Sequence, residues 1–340
     1  NYLHTKYAVV SVGRVMTCVL GMVVRREREI RDFVKTPFYR VLSTIDVSGQ
    51  TFEGEWRAVK GSRYFESFDL YKENGFKEIV SIEKKKEKKN PTLLYNLAEL
   101  QNDCSKRFKI SPDETLRIVQ ELYEKKLVTY PRTDARVLST AVAKEIGHNL
   151  NGLMKYPMAV PYLQEIVKFG THKGLAKTRY VNDKQITDHY AIIPTGQGIA
   201  ALKSVPVTAG KVYDCIVRRF LSIFYPPAVY QKVSITTKIR EESFFSSFKV
   251  LAEEGYLKVV GVPQKKTGQD SKNEDDNAQN LDAAFFQTVQ ALKKGMHLPV
   301  KALNIKEGET SPPKRYNSGS MILAMENAGQ LIEDEELRAQ

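Results

Sequence analysis

The first strong pattern in the chain is an apolar run that becomes highly charged. Residues 7–24 (YAVVSVGRVMTCVLGMVV) are almost all apolar or small, apart from Arg14. They continue into RREREIRDF, where Arg25 and Glu29 stand four residues apart, the spacing of ion pairs on one helix face. The pattern predicts one long helix, buried in its first half and solvated in its second, that ends at Pro37.

Two later stretches have the composition of β-strands. Residues 38–82 contain FYRVLSTIDV, TFEGEWRAV and KEIVSIE, which are rich in β-branched and aromatic residues. After Pro226 and Pro227 the chain returns to this pattern in AVYQKVSITTKI and SSFKVLAEEGYLKVV. We interpret residues 83–90 (EKKKEKKN) as a solvated linker, with a DNA contact as the alternative, and residues 264–280 as a mobile polar loop.

A helical block lies between these β-like stretches and begins at Pro91. Ser111 as N-cap, Pro112 in the first turn and Glu114 as capping-box partner predict a helix start. Apolar residues then recur at helical spacing at Leu116, Val119, Leu122, Tyr123 and Leu127. More helices are predicted from Ser139 onward and around 160–168 and 208–224.

The order of elements predicts how the chain divides into domains. The order is helix, β, helical block, β, helix, and the last helix follows a Pro-rich turn and stops at Gly329. This nested order predicts an α+β, multi-domain fold in which the helical block is inserted into a β-rich platform. The predicted segments are 1–36, 37–90, 91–226, 227–305 and 306–340.

The composition adds a strong positive charge to this picture. The 340 residues include 52 Lys and Arg against 40 Asp and Glu, a formal net charge of +12. On a globular protein this excess favours a polyanionic partner, with a generic basic surface as the alternative. Cys18, Cys104 and Cys215 are far apart, which disfavours zinc and disulfides and fits a reducing cytoplasm. No apolar run reaches the roughly 18–20 residues of a membrane span.

The stretch LVTYPRTDARVLS contains a candidate nucleophile. Tyr130 lies just past a predicted helix, and Pro131 favours an extended backbone for it. Tyrosine has a pKa of about 10, so it needs help to attack a phosphate, whose charge must also be neutralised. Arg132 offers a permanent, forked charge that matches phosphate oxygens. The alternative is a helix C-terminus that happens to contain an aromatic residue.

Three more segments contain candidate phosphate contacts. In TDHYAIIPT, His189 is either a phosphate-binding or proton-transferring group or a structural histidine. In SVGRVMT, Arg14 needs an anionic partner, which is either DNA or a buried carboxylate. In TSPPKRYNSGS, Lys314 and Arg315 precede a helix start, whose exposed amides favour phosphate.

Together these four segments resemble type IA DNA topoisomerases, most closely the bacterial topoisomerase III branch. LVTYPRTDARVLS is similar to the active-site stretch of the family, and SVGRVMT followed by VVRREREI to its SVGRVQT…EREREI segment. TDHYAIIPT resembles its HHAIIPT, and TSPPKRYNSGSMILAMENAG its PPxRYTEGTLIxAMENAG. The matches follow the family's order over nearly the whole chain, so the joint signal is highly specific.

The resemblance implies an enzyme that cuts and rejoins single DNA strands. Tyr130 would form a 5′-phosphotyrosyl intermediate, Arg132 would stabilise the scissile phosphate, and His189 would be the family's active-site histidine. Another strand would pass through the gap before religation, which needs no ATP. The implied DNA contacts are Ser11, Val12, Gly13, Arg14, Val15, Met16, Thr133, Asp134, Arg136, Arg315, Tyr316, Asn317 and Ser320.

The resemblance also implies a toroidal architecture. Residues 1–36 and 306–340 would form parts of a helical base, and 37–90 with 227–305 a β-rich arch. The inserted helical domain, 91–226, would open and close as the gate. We expect a monomer in the bacterial cytoplasm, at the nucleoid, that binds single-stranded DNA, passes duplex DNA through the gate and has no membrane partner.

The chain departs from the family pattern at both ends and at a few single positions. The N-terminal Toprim domain, which holds Mg²⁺ in the family, has no counterpart, so we expect Mg²⁺ in the full-length enzyme and none here; the acidic cluster at 274–276 lies in the predicted loop. The chain starts without Met and stops before a GxGTPATRA-like stretch, which indicates a core fragment. Met16, Tyr190 and Asn317 replace the usual Gln, His and Thr, and Met16 cannot make the hydrogen bond of Gln.

Two other functions are consistent with parts of the sequence. A non-catalytic module would only grip single-stranded nucleic acid through basic and aromatic side chains. A tyrosine recombinase also cuts DNA, but its spaced Arg-His-Arg set and late tyrosine do not match Tyr130 in mid-chain. We therefore expect relaxation or decatenation by the full-length protein, and single-strand binding without relaxation by the fragment.

Overall fold

The computed structural model describes residues 13–57, 76–239, 242–262 and 281–327, with Arg14 and Phe76 described by their backbone alone. Every structural statement below concerns these residues. Predictions that lie outside them are the DNA contacts of Ser11 and Val12, the loop at 264–280 with its acidic cluster, and the helix stop at Gly329.

Helices and strands follow one another in blocks, and two short helices interrupt the second β block. The helices are α1 (Arg14–Arg31), α2 (Leu97–Phe108), α3 (Pro112–Glu124), α4 (Thr140–Leu153), α5 (Val160–Phe169), α6 (Val207–Ser222), α7 (Leu257–Val260), α8 (Ala283–Ala291) and α9 (Ser318–Glu326). The strands are β1 (Pro37–Val47), β2 (Gln50–Trp56), β3 (Phe76–Lys89), β4 (Ala228–Ile239), β5 (Glu242–Glu253) and β6 (His297–Glu309). Short 3₁₀ helices lie at Thr171–Lys177, Asp183–Gln185 and Ile199–Ser204.

The described residues form two compact units. The helical unit takes its residues from Asn1–Lys35, Thr92–Phe224 and Ser311–Gln340. The β unit takes its residues from Thr36–Pro91 and Tyr225–Thr310. Each unit is therefore assembled from pieces that are separate in sequence, while a base domain distinct from the helical block stays a prediction.

Two helices of the helical unit begin at serines that satisfy free backbone N–H groups. Ser111 accepts a hydrogen bond from the N–H of Glu114 at 3.1 Å, and Pro112 is the first residue of α3. Ser139 accepts one from the N–H of Val142 at 3.2 Å and starts α4. These hydroxyls replace partners that the first helical turn lacks. The predicted starts at Ser111 and Ser139 are confirmed.

The core of the helical unit is built around α6. Tyr213, Ile216 and Phe220 are fully buried and stand three and four residues apart, which is the apolar stripe of an amphipathic helix. α6 packs against α3, whose Val119 and Leu122 are also fully buried. This packing fixes the position of α3, and with it the stretch that follows α3.

The first half of α1 is exposed, whereas the sequence predicts it to be buried. Val15, Met16 and Leu20 expose 66%, 63% and 63% of their surface. Met16 and Leu20 are one helical turn apart, and Val23 and Val24 continue the same exposed side. Within the described part of the chain no element covers this side. The prediction of a buried first half is therefore wrong for these residues.

The β unit is a closed barrel of antiparallel strands in the order β1-β2-β5-β4-β3-β6. β1 and β2 are joined by Ser48 and Gly49, which both have positive φ, at 53° and 83°. Such two-residue turns match the twist of antiparallel strands. Closure lets alternate side chains of the strands face one common interior.

α8 packs against the apolar interior of the barrel. Its Phe285, Phe286 and Val289 are buried in the same cluster as Phe52 and Phe248 from the strands. The rings of Phe52 and Phe248 meet edge to face at 5.1 Å, a favourable geometry for aromatic pairs. α8 is therefore part of the barrel core.

The lysine-rich residues 83–89 continue strand β3 instead of forming a linker. β3 pairs with β4 as far as Lys89, which stands opposite Ala228. Lysine is uncommon in strands, but buried valines of β4, Val229 and Val233, lie opposite the lysines here. Lysine stems can cover such apolar neighbours while the amines stay in water. The linker interpretation is wrong.

Lys77 places an amine in the barrel interior. It is fully buried on the same side of β3 as Ile79, and its amine lies 2.8 Å from the centre of the Phe244 ring. The amine has no hydrogen-bond partner among the described residues. Burial lowers the pKa of Lys77 to about 6, because a charged amine loses its hydration there. At neutral pH the folded protein therefore holds Lys77 mostly in its neutral form.

Lys77 should make the stability of the protein depend on pH. Between pH 6 and 10.5 the unfolded chain holds a proton on Lys77 that the folded protein lacks, so the free energy of unfolding rises with pH, by up to roughly 1.4 kcal/mol per unit. Lys77→Met should be more stable than the parent at pH 7, and this advantage should shrink towards pH 10.5. Urea unfolding at several pH values measures the difference, with the exposed Lys306→Met as control. A constant difference between Lys77→Met and the parent would contradict the buried neutral amine.

Candidate active site

Backbone hydrogen bonds join two segments that are far apart in sequence. The N–H of Thr129 donates to the carbonyl of Ile193 at 3.0 Å, and the N–H of Ala191 to the carbonyl of Val137 at 3.0 Å. The Thr129 hydroxyl also accepts from the N–H of Ile193 at 2.9 Å. LVTYPRTDARVLS and TDHYAIIPT, which we call the paired segments, therefore lie side by side.

Helix α4 supports the end of the second paired segment through two glycines. A Cβ on Gly152 would lie 2.3 Å from the carbonyl oxygen of Gly196, and one on Gly196 would lie 2.6 Å from that of Asn149. Gly196 also has a φ of +79°, which favours glycine. The side chain of Asn149 donates to the carbonyl of Pro194 at 2.9 Å. These contacts leave room for glycine alone and fix the segment against α4.

The paired segments bring Tyr130 and His189 into contact. Their ring centres are 4.3 Å apart, with planes inclined by 43°. The ring of Tyr123, on α3, meets Tyr130 edge to face at 5.5 Å. Tyr130 is half-buried and His189 is exposed. The tyrosine ring is therefore held by two neighbours while part of it stays open to solvent.

Thr133 ties the two motifs together at a buried position. Its hydroxyl donates to the carbonyl of His189 at 2.8 Å and accepts from the N–H of Ala135 at 3.1 Å. Only 8% of Thr133 is exposed. Both hydrogen bonds of the hydroxyl are therefore to backbone groups, and the predicted DNA contact of Thr133 stays a prediction.

Arg132 and Asp134 point outward on either side of Thr133 in the sequence. Both are exposed. Asp134 accepts a hydrogen bond from the hydroxyl of Thr187 at 3.4 Å. Within the described part of the chain, the guanidinium of Arg132 makes no hydrogen bond or ion pair. Arg132 is therefore a permanent cation without a protein partner close in sequence to Tyr130.

Arg136, by contrast, is bound by protein groups. Its guanidinium pairs with the carboxylate of Glu99 at 2.8 Å and donates to the carbonyl of Leu94 at 3.3 Å. The residue is half-buried. It fastens the first paired segment to the start of α2, and its predicted DNA contact stays a prediction.

Asn96 is a residue of this region that the sequence analysis missed. Its side-chain oxygen accepts from the N–H of Glu99 and caps α2 at 2.9 Å. Its amide nitrogen donates to the carbonyl of Asp134 at 3.0 Å and also to the carboxylate of Glu326 on α9. An Asn just before a helical run was the signal that could have identified the cap. The long-range contacts had no local signal.

α9 packs against α2 through a small residue. A Cβ on Gly319 would lie 3.1 Å from Cα of Asn102, so the two helices meet closely at this point. Asn317 and Ser320, both predicted DNA contacts, form a capping box at the start of α9, in which each side chain accepts from the other's backbone N–H, at 2.8 and 2.9 Å. This arrangement stabilises the helix start.

Two more predicted DNA contacts are bound to α1. Arg315 makes a forked ion pair with Glu27, at 2.7 and 3.0 Å, which lowers the pKa of Glu27 through the hydrogen bond. The guanidinium of Arg26 lies 4.2 Å from the ring centre of Tyr316 and donates to the Lys314 carbonyl at 2.6 Å. Arg315 remains exposed. These contacts join the segment before α9 to α1.

The predicted contact segment at the start of α1 lies at a helix N-terminus. Gly13 is the N-cap with an extended backbone, and Arg14 is the first helical residue. The hydroxyl of Thr17 donates back to the carbonyl of Gly13 at 2.9 Å. Val15 and Met16 are exposed. Neither Val15 nor Met16 has a described side-chain contact with Tyr130, and the DNA contacts predicted for Gly13, Arg14, Val15 and Met16 stay predictions.

The comparison with known proteins agrees with this arrangement of motifs. A family model described as DNA topoisomerase matches residues 2–330. The chain belongs to the type IA DNA topoisomerase family. The family resemblance inferred from the four segments is confirmed.

Related topoisomerases are considerably longer than this chain. It is 37% identical to DNA topoisomerase 3 of Bacillus subtilis and 34% identical to that of Bacillus licheniformis. Each match covers 98% of this chain and 44% of the relative. The chain therefore spans less than half the length of these relatives, and the activity of a whole topoisomerase is a proposal for it.

A solved topoisomerase structure shares the fold. Full-length topoisomerase I from Thermotoga maritima superposes with a TM-score of 0.64 at 22% identity, over 95% of this chain and 49% of that one. At this identity the likeness concerns the fold alone. Together with the helical unit and the barrel, it confirms the α+β, multi-domain fold class.

The described residues offer neither a metal cluster nor a membrane span. No group of three or more His, Cys, Asp or Glu side chains that could hold a metal ion occurs among them. None of the helices in the described ranges is long and apolar enough to cross a membrane.

The hydroxyl of Thr133 should contribute measurably to the free energy of unfolding of this topoisomerase chain. Thr133→Val keeps the shape but leaves a buried N–H and a carbonyl without their partner, which costs about 1–3 kcal/mol of unfolding free energy. Urea unfolding measures the loss. Thr171→Val, at an exposed position, should change stability by less than about 0.5 kcal/mol. Equal effects of the two substitutions would show that the Thr133 bonds contribute nothing.

Proposed function

We propose that this chain is the strand-cutting core of a topoisomerase of the topoisomerase III type, with Tyr130 as nucleophile. The strongest support is the position of the Tyr130 ring, which is held against His189 and Tyr123 two residues before the exposed guanidinium of Arg132. The 37% identity to a protein named DNA topoisomerase 3 supports the choice of branch.

The proposed reaction exchanges one phosphate ester for another. The hydroxyl oxygen of Tyr130 attacks the phosphorus of a phosphodiester in single-stranded DNA. A bond from phosphorus to the tyrosine oxygen forms while the bond to the 3′ oxygen breaks, and the tyrosine proton ends on that 3′ oxygen. The products are a 5′-phosphotyrosyl ester and a 3′-hydroxyl. Reversal restores the strand, and because the number of ester bonds never changes, no ATP is needed.

Arg132 supplies positive charge where the reaction creates negative charge. The phosphate gains charge on its equatorial oxygens as the tyrosine oxygen approaches, so a fixed cation stabilises the transition state more than the bound substrate. Arg132 suits this role because it makes no ion pair with another described residue. A guanidinium can also bind two phosphate oxygens at once.

His189 acts first by positioning the nucleophile. Its ring packs on the Tyr130 ring, and its carbonyl is held by Thr133. Because the imidazole is exposed, it can also donate to the scissile phosphate when charged. We assign no step to a metal: the Mg²⁺ that we expect in the full-length enzyme has no fitting cluster among the described residues.

In the longer enzyme, passage of a second strand between cutting and rejoining would relax or decatenate DNA. For this chain alone we propose single-strand binding without relaxation. Binding should weaken steeply with salt because phosphate contacts release counterions. The net charge of +12 supports this second, binding function. Relaxation of supercoiled plasmid by this chain with Mg²⁺ would contradict the proposal that the chain alone binds single strands without relaxing DNA.

Removing the hydroxyl of Tyr130 should abolish the covalent intermediate in the full-length enzyme. With 5′-labelled and 3′-labelled single strands and denaturant quenching, the parent should trap adduct on the 5′-phosphate side, and Tyr130→Phe should trap none. Tyr123→Phe is the matched control, since it keeps the ring that contacts Tyr130 and should still form adduct. Persistence of adduct in Tyr130→Phe would rule out this nucleophile.

Arg132→Ala should slow cleavage more than it weakens binding. We expect a loss of about 10²–10³-fold in the single-turnover cleavage rate of the full-length enzyme, but less than about tenfold in single-strand affinity. Arg132→Lys should recover part of the rate, since it keeps the charge but not the fork. Arg117→Ala removes another exposed arginine, on α3, and should change neither. Equal losses in rate and affinity would assign Arg132 to binding alone.

A further inference from the structure

The end of strand β3 carries three lysines on one side without acidic partners. Lys84, Lys86 and Lys88 alternate along the strand, and alternate residues of a strand face the same side. All three are exposed. None of them makes a hydrogen bond, ion pair or ring contact with another described residue. We call these three side chains the lysine row.

The opposite side of the same strand is neutralised. Lys85 pairs with Glu83 at 2.8 Å. Glu87 binds both Lys89 and Lys249, at 3.6 and 2.6 Å. One stretch of sequence therefore presents two sides of different character, one with paired charges and one with bare cations.

The lysine row has a fixed spacing. Each of its residues pairs with β4, opposite Val233, Gln231 and Val229 in turn. Successive members of the row are about 7 Å apart, because an antiparallel strand rises about 3.4 Å per residue. The row therefore extends over about 14 Å of a hydrogen-bonded strand, unlike the lysines of a flexible tail.

The positive charge of the lysine row favours binding to a phosphate backbone. Three amines without carboxylates favour a polyanion, and DNA is the polyanion that the proposed function supplies. Single-strand sites combine basic groups with aromatic side chains on which bases stack. The cross-strand partners of the row are two valines and a glutamine, whereas Tyr230 belongs to the neutralised side, where the amine of Lys249 lies 4.7 Å from its ring centre. The row thus offers contacts to phosphate but none to bases, which fits duplex DNA.

We propose that Lys84, Lys86 and Lys88 form a binding surface for the phosphate backbone of duplex DNA. This surface belongs to the β unit, whereas Tyr130 belongs to the helical unit. The proposal rests on the proposed function only in taking DNA as the ligand. Contacts of this kind are independent of base sequence.

Protection of a strand edge is the simplest competing role for these lysines. β3 pairs with β6 over Phe76–Glu78, and the backbone of Ile79 still bonds to Gly295 and Met296, so within the described residues its outer edge is free only beyond Ile79. Charged side chains at such edges prevent strand-to-strand aggregation. Edge protection, however, gives no reason for carboxylates to neutralise one side and leave the other bare. A DNA surface on one side accounts for that difference.

Charge removal from the row tests the proposal with this chain. The row variant is Lys84→Gln/Lys86→Gln/Lys88→Gln, and the control Lys293→Gln/Lys294→Gln/Lys306→Gln removes the same charge from other exposed lysines of the β unit. Fluorescence anisotropy with a labelled blunt duplex gives the affinity at several salt concentrations. The slope of log K against log salt should become less steep by about 2–3 in the row variant, since each phosphate contact contributes about 0.9. The control should keep the parent slope.

Two more measurements distinguish duplex binding by the row from strand-edge protection and from the chemistry of Tyr130. A single strand of the same length should lose little affinity in the row variant, and Tyr130→Phe should keep the parent slope on the duplex, whatever its adduct chemistry. Circular dichroism verifies that the variants fold. Equal losses in the row variant and the control, a loss on single strands alone, or unchanged duplex binding with increased aggregation would each overturn the proposal.

Discussion

The backbone pairing between the two paired segments is the constraint on which the candidate active site in the helical unit depends. Thr129 and Ile193 exchange hydrogen bonds at one end, and Ala191 donates to Val137 at the other. Tyr130 lies between these points, and the carbonyl of His189, two residues before Ala191, accepts a hydrogen bond from the Thr133 hydroxyl. Tyr130 and His189 therefore have little freedom to separate. A tyrosine after a helix is ordinary by itself, but one that is held against an imidazole by main-chain bonds is positioned for chemistry.

Electrostatics divides the arginines of this region into two groups. Arg136 and Arg315 have their guanidinium groups occupied by Glu99 and Glu27, whereas Arg132 makes no such pair within the described residues. Sequence alone treats the three as equivalent basic residues near a motif. The difference arises because carboxylates distant in sequence reach two of them. Strand β3 shows the same contrast. Glutamates pair with the lysines on one of its sides, whereas the lysines on the other side have no such partners among the described residues.

The sequence predicts well where local chemistry decides the structure. The starts of α3 and α4 follow from Ser111 and Ser139, whose hydroxyls accept from backbone N–H groups of the next turn, and the four motifs in their order predict the family. The sequence predicts poorly where contacts with residues distant in sequence decide the structure. The lysine-rich end of β3 forms a strand because β4 pairs with it, α8 was not anticipated, and the apolar half of α1 is exposed because no described element covers it. The contacts of Asn96 have no local signature.

Asn96 has a consequence for how the helical unit can change shape. Its amide nitrogen carries two hydrogens, and the described contacts employ both, one on the carbonyl of Asp134 and one on Glu326 of α9. If α9 withdrew, the second hydrogen would meet water while the first kept its acceptor. Because water replaces a carboxylate at modest net cost, the first paired segment would keep its form during such a movement. The fixed shape of the first paired segment is thus compatible with a movement of α9.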